Sequence, residues 1–134
     1  MIDVFKTILE VAKSLLGMSD QLRAADRQRR QDLATLLEQI STTLAEVSSE
    51  IRLGRVPYGK CSEVKAYADK LPDKVRLEIG ETEADELGRT LLSAYDVEGM
   101  AIDLQDNAEK EPHLQVIEEA SGKFRALANI MRAV

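Results

Sequence analysis

LATLLEQISTTLAEVSSEI, residues 33–51, decides the fold. Its recurring apolar residues, Leu33, Leu37, Ile40, Leu44, Val47 and Ile51, follow one another at alternating steps of four and three. That spacing is the seam of a helix packed lengthwise on other helices. A strand would need period two, which this stretch lacks.

Working outward, residues 2–16 form an amphipathic helix, with Ile2, Phe5, Ile8, Leu9, Ala12, Leu15 and Leu16 on one face. Gly17 ends it, and Ser19 or Asp20 caps a second helix that runs to Leu53, about 50 Å at ~1.5 Å per residue. The first half of that second helix is crowded with Arg23, Arg27, Arg29 and Arg30. Residues 54–59, GRVPYG, break the chain direction with two glycines and a proline. A short helix over 60–71 follows, stopped by Pro72, and Val75-Arg-Leu-Glu-Ile79 reads as a short helix or an extended linker.

From Gly80 and Thr82 a further helix is expected to reach Ala108, its start favoured by Glu83, Asp85 and Glu86 against the helix dipole. It is apolar on two faces, with Leu87, Leu91, Tyr95 and Ile102 on one and Val97, Met100, Ala101 and Leu104 on the other. Gly88 and Gly99 inside it each cost ~1 kcal/mol against alanine, which implies a close backbone approach or a kink. Pro112 opens the last helix, whose seam is Ile117, Ala120, Phe124, Leu127, Met131 and Val134. The expectation is therefore all-α: one domain over 1–134, a helical bundle of four main helices plus one or two short ones, with the long second helix as its spine.

Composition narrows the function classes. The 134 residues are 44% apolar and 31% charged, ordinary for a folded chain. One cysteine, Cys61, cannot form an intramolecular disulfide, so the expected compartment is the cytoplasm. No apolar run approaches the ~18–20 residues a membrane span needs, and Asp3, Lys6, Glu10 and Lys13 interrupt the first helix as a signal peptide. The net charge is −6: residues 1–60 carry nine Lys/Arg against eight Asp/Glu, and residues 61–134 nine against sixteen. The acidic second half repels nucleic acid and anionic membranes.

Several patterns touch on chemistry. Gly54-Arg-Val-Pro-Tyr-Gly59-Lys60-Cys61 follows the phosphate-loop pattern up to its last position, where Cys replaces the magnesium-ligating hydroxyl, and a helix rather than a strand precedes it. A helix–helix turn is the plainer reading, with a weak anion site of Lys60, Arg55 and helix amides between the two. Cys61 reads as a small core residue, His113 being far off in sequence. One histidine cannot supply a helical di-metal site, and Asp103, Asp106 and Glu109 lack calcium-loop spacing, so no metal, cofactor or catalytic residue is expected. Arg23, Arg27 and Arg30 share a face that could track phosphates, but Asp20 and Asp26 sit at pairing distance and no aromatic interleaves to stack bases.

Gly59-Lys60-Cys61-Ser62-Glu63, Tyr67-Ala68-Asp69-Lys70-Leu71-Pro72 and Ala84-Asp85-Glu86-Leu87 together resemble a family of small, all-helical bacterial proteins of unknown function. The resemblance covers about a third of the chain and implies a helical domain, with no activity, cofactor or site residue attached.

The expected function is a non-enzymatic helical interaction or regulatory module that self-associates, with a protein partner possible; the alternative is a helical bundle sensing a small ligand held where Gly88 and Gly99 leave room. Self-association follows from the first helix. A Gly17-Met18 turn folds it back on residues 21–32, too polar to cover its apolar stripe. Burying each Leu, Ile or Phe is worth ~1.5–3 kcal/mol, so something must cover them: the two-faced helix or a second chain. The expected homodimer interface is Phe5, Ile8, Leu9, Ala12 and Leu15 with Arg23, Arg27 and Arg30.

Overall fold

A computed structural model describes residues 4–93, 97–105 and 110–133. The described residues are 90% helical and include no strand, so the chain is all-α. They form seven helices, more than the sequence reading expected: α1 Val4–Gly17, α2 Ser19–Arg23, α3 Arg27–Arg52, α4 Tyr58–Ile79, α5 Glu81–Ser93, α6 Val97–Leu104 and α7 Lys110–Arg132.

The heptad seams explain how the helices pack. Leu33, Leu37, Ile40, Leu44, Val47 and Ile51 are all buried along α3, and Ile117, Ala120, Phe124, Leu127 and Met131 along α7; Val134, the last seam position expected, lies outside the described residues. α3 packs most extensively on α7, which packs in turn on α1. On its other side α3 meets α4, α4 meets α5, and α5 returns to α1. Five helices thus close a ring around Phe5, Leu37, Leu44, Leu71 and Phe124, and the buried apolar residues make one connected cluster. α2 contacts α1, α4 and α7, carrying fully buried Leu22.

α3 and α7 run antiparallel. Arg52 near the end of α3 pairs with Glu111 and Glu118 of early α7, while Glu38 pairs with Arg125 and Arg132 of late α7. Midway, Ser41 Oγ donates to the Ser121 carbonyl and Ser121 Oγ to the Ser41 carbonyl, both at 2.7 Å. Two hydroxyls reaching each other's backbone require the helices to cross closely, which only small residues permit.

The expected long second helix is broken. Ala24 and Ala25 leave it, and Asp26 turns extended (φ −65°, ψ 166°) so that its carboxylate accepts the Arg29 amide at 2.9 Å. An aspartate cap is worth ~1 kcal/mol, and Leu22 of α2 is fully buried beyond the break. At its far end α3 closes in a Schellman motif: Gly54 (φ +79°) donates to the Ile51 carbonyl and Arg55 to that of Glu50.

α4 corrects a second expectation, because it passes straight through Pro72 to Ile79. An interior proline costs ~3 kcal/mol. Leu71 and Val75 are fully buried on either side of it, and their burial outweighs that cost. Val75 and Ile79 face the core one turn apart while Leu77 faces solvent, so residues 75–79, expected as a short helix or an extended linker, are the last turns of α4. Gly88 on α5 is the other half of the arrangement: a Cβ there would lie 3.0 Å from Pro72 Cγ. The close approach expected at Gly88 is therefore the proline ring. The helix expected to run to Ala108 is represented by α5 and α6 on either side of residues 94–96; Tyr95, Asp106 and Ala108 lie outside the described residues. No helix among the described residues is long and apolar enough to cross a membrane.

Candidate interaction surface

The apolar half of the expected interface is core. Phe5, Ile8, Leu9, Ala12 and Leu15 are buried within one chain, chiefly by α7 and then by α5. An antiparallel α7 supplies the cover that residues 21–32 could not, so the bare stripe that argued for a dimer does not exist.

The arginine half stays at the surface. Arg23 and Arg27 are exposed and Arg30 is half-buried. Neither of the expected pairs, Asp20 with Arg23 or Asp26 with Arg30, forms; the Asp26 carboxylate caps α3 instead. Arg30 Nε is shielded from solvent and has no acceptor. Their neighbour Arg29 behaves differently: it grips Glu78 of α4 through Nε at 2.9 Å and an NH2 at 2.8 Å. That hydrogen bond, with the carboxylate's charge and against the cost of burial, raises the Arg29 pKa.

Three spaces between helices bear on function. The α3–α4 groove, about 350 Å³, is lined by Thr35, Gln39, Thr42, Glu38, Glu46, Glu63 and Tyr67 among others. Its glutamates already hold cations: Lys60 bridges Glu46 and Glu63, and Glu38 takes Arg125 and Arg132. The α1–α5 groove, about 240 Å³, has Val11, Met18 and Leu87 in its walls and Glu10, Glu83 and Glu86 around it. These three carboxylates form no ion pair with any described residue. The third space lies at the centre of the ring, between Ile8, Ile40, Leu44, Val64, Leu91 and Phe124, and is only about 20 Å³. One water needs ~10–15 Å³, so this void holds no metabolite. The room that Gly88 could have left is filled by Pro72.

The phosphate-loop pattern falls on the α3–α4 turn. Helix α3 precedes it, and Lys60 donates to Glu46, which raises the lysine pKa above its ordinary value. Arg55 contacts Glu50, so both cations of the weaker anion-site reading face carboxylates. Cys61 is buried at the start of α4, its amide donating to the Pro57 carbonyl, and His113 lies in the first turn of α7. Among the described residues no group of three or more His, Cys, Asp and Glu is placed to hold a metal; Asp103 is exposed on α6, and Asp106 and Glu109 lie outside the described residues.

The sequence reading missed Glu10, Glu83 and Glu86 as a group. Glu83 and Glu86 carry a sufficient local explanation in the helix dipole, and Glu10 is one polar position among several on α1. Only the pairing of α1 with α5 brings them together, and nothing in either helix's own periodicity announces that pairing.

Comparison with protein-family models, with curated proteins and with solved structures yields no match for this chain. The strings that resemble the all-helical family, residues 59–63, 67–72 and 84–87, fall on the paired helices α4 and α5.

Proposed function

We propose that this chain is a helical-bundle interaction module that works in the cytoplasm by docking on protein surfaces, a second copy included, rather than by chemistry. The observation that carries this reading is the contrast between the two grooves. In the α3–α4 groove, and at Arg52 and Arg76, carboxylates and cations satisfy each other within the chain. Glu10, Glu83 and Glu86 around the α1–α5 groove form no such pair, and neither do the exposed Arg23 and Arg27, which lie on either side of the break between α2 and α3. Exposed charges of opposite sign left open on one fold steer association and set partner choice.

The small-ligand alternative has less support: the apolar void beside Leu44 and Phe124 is only about 20 Å³, and the carboxylates of the larger α3–α4 groove already pair with Lys60, Arg125 and Arg132.

The test is a photo-crosslinking amino acid placed at Ser14, in the groove, and separately at exposed Asp69 on α4, with each protein expressed in its native cells. Discrete adducts of defined mass from position 14 and none from position 69 are expected. No adduct, or the same ladder from both positions, would overturn the reading.

A further inference from the structure

The α3–α4 groove does not end at the space around Thr42 and Tyr67. A further space of about 270 Å³, between Asp32, Thr35, Leu36 and Gln39 of α3 and Lys70 and Lys74 of α4, shares Thr35 and Gln39 with it, so the two are one groove. Its α3 wall presents Asp32, Thr35, Gln39, Thr42 and Glu46, at steps of three, four, three and four. Its α4 wall presents Glu63, Tyr67, Lys70 and Lys74, at steps of four, three and four. α3 therefore carries a second seam at the same period, polar where the first is apolar. From Asp32 to Glu46 it runs about 21 Å at ~1.5 Å per residue. The walls are antiparallel: Arg29 at the start of α3 grips Glu78 near the end of α4, and Glu46 further along α3 takes Lys60 near the start of α4.

A groove whose walls both repeat at the helical period suits a further helix laid lengthwise, its side chains set between those of the walls. Charge selects which helix. At one end the carboxylates are taken: Lys60 bridges Glu46 and Glu63, and Glu38 holds Arg125 and Arg132. At the other end Lys70 and Lys74 stand one turn apart, and neither forms an ion pair with a described residue, while Asp32 accepts from Gln28 at 3.0 Å. Two ammonium groups left over in a chain of 24 Asp and Glu are complemented by two carboxylates at the same spacing. Between the ends, Thr35, Gln39 and Thr42 offer hydroxyl and amide groups to polar side chains. A compact anion would use the lysines and leave the rest of the groove empty. We infer that the α3–α4 groove receives a helix of another protein, about four turns long, with two carboxylates one turn apart set against Lys70 and Lys74. The inference goes beyond the interaction-module reading, which stands on the α1–α5 groove, and gives the chain a second surface. Helical spacing puts Asp69 on the opposite side of α4 from this line.

A displayed peptide library tests it, selected on the whole protein at low ionic strength. Each peptide is an alanine–glutamine helical frame of about four turns, with the positions of one face, at steps of three and four, randomised. Sequences with Asp or Glu at two positions one turn apart are expected to be enriched. By fluorescence anisotropy, the affinity of a selected peptide should fall by about tenfold or more in Lys70→Glu with Lys74→Glu, and should fall as salt shortens the screening length below ~10 Å. Exchanging the peptide's two carboxylates for lysines should restore binding to that variant. Should the reversed variant lose helical circular dichroism, Lys70→Gln with Lys74→Gln takes its place, and the same loss of the acidic peptide is expected. No enrichment, enrichment of neutral or basic faces, acidic peptides that bind the variant as well as the wild type, or inorganic phosphate or short single-stranded DNA binding as tightly as the peptides would each overturn the acidic-helix docking. Adducts from position 14 with no enrichment in the library would end this inference and leave the interaction-module reading standing. Enriched acidic peptides with no adduct from position 14 would support the α3–α4 docking and remove the α1–α5 groove as a surface.

Discussion

Gly88→Ala puts two known effects in opposition, and the structure decides between them. In an exposed helix interior the substitution gains ~1 kcal/mol, because alanine loses less backbone freedom on folding. Here the new Cβ would sit 3.0 Å from Pro72 Cγ, closer than such contacts normally come. The ring cannot swing away as a flexible side chain would, since it is fixed to the α4 backbone between fully buried Leu71 and Val75. Either α5 shifts or α4 bends, and overpacking of this kind costs ~1–3 kcal/mol. The expected outcome is a net destabilisation of up to about 2 kcal/mol, read as a lower urea midpoint or a fall in Tm of about 4 °C for each kcal/mol. A Pro72→Ala background removes the obstacle, and there Gly88→Ala should stabilise by up to ~1 kcal/mol. The sign of one substitution thus reverses with the other present, a coupling of ~1–3 kcal/mol in a double-mutant cycle. If Gly88→Ala stabilises both backgrounds equally, the account of Gly88 as the seat of Pro72 is wrong.

Ser41→Val should destabilise by ~1–3 kcal/mol, because it forces the α3–α7 crossing apart as well as deleting a hydroxyl; Ser41→Ala should cost ~1 kcal/mol, and chemical denaturation separates the two. Burial works against the charged form of Glu118, but hydrogen bonds from Arg52 and Ser48 outweigh it and hold the carboxyl below its usual range. A depressed folded pKa contributes stability that is present above the unfolded pKa and lost as the pH falls through the folded one, so Glu118→Gln should flatten the loss of urea midpoint between about pH 5 and pH 3. Cys61, buried in α4, should react with an aromatic disulfide reagent only as fast as the protein opens, and at once in denaturant; immediate reaction of the native protein would contradict its burial.

The parts of the fold legible in the sequence are those where one helix's own period carries the information. The seams of α3 and α7 are continuous, and every described residue that the spacing marks on them is buried. The errors arise where a local rule met a competing term. Proline punctuation predicts a stop at Pro72, yet a helix flanked by buried Leu71 and Val75 tolerates it. Periodicity carries the second helix through Ala24 and Ala25, yet the helix restarts at Arg27 behind the Asp26 cap. The candidate surface was half legible. Arg23, Arg27 and Arg30 stand out by their spacing, but which helix would cover α1 is a long-range fact, and with it went both the apolar stripe and the acidic groove.

α7 has a temporal consequence as well as a spatial one. It is the principal mate of both α1 and α3, and it lies furthest along the chain of all these helices. On a ribosome adding ~5–20 residues per second, the 80 residues between Arg52 and Arg132 take about 4–16 s to appear. Through that interval α4 and α5 can pair with each other and with α3 and α1 as they emerge, while the larger contacts of α1 and α3 wait for α7. Until α7 emerges, α1 has only α5, and α3 only α4, to cover faces that the finished fold buries chiefly against α7, so a chain halted before Lys110 exposes part of the leucine and isoleucine that the whole protein hides.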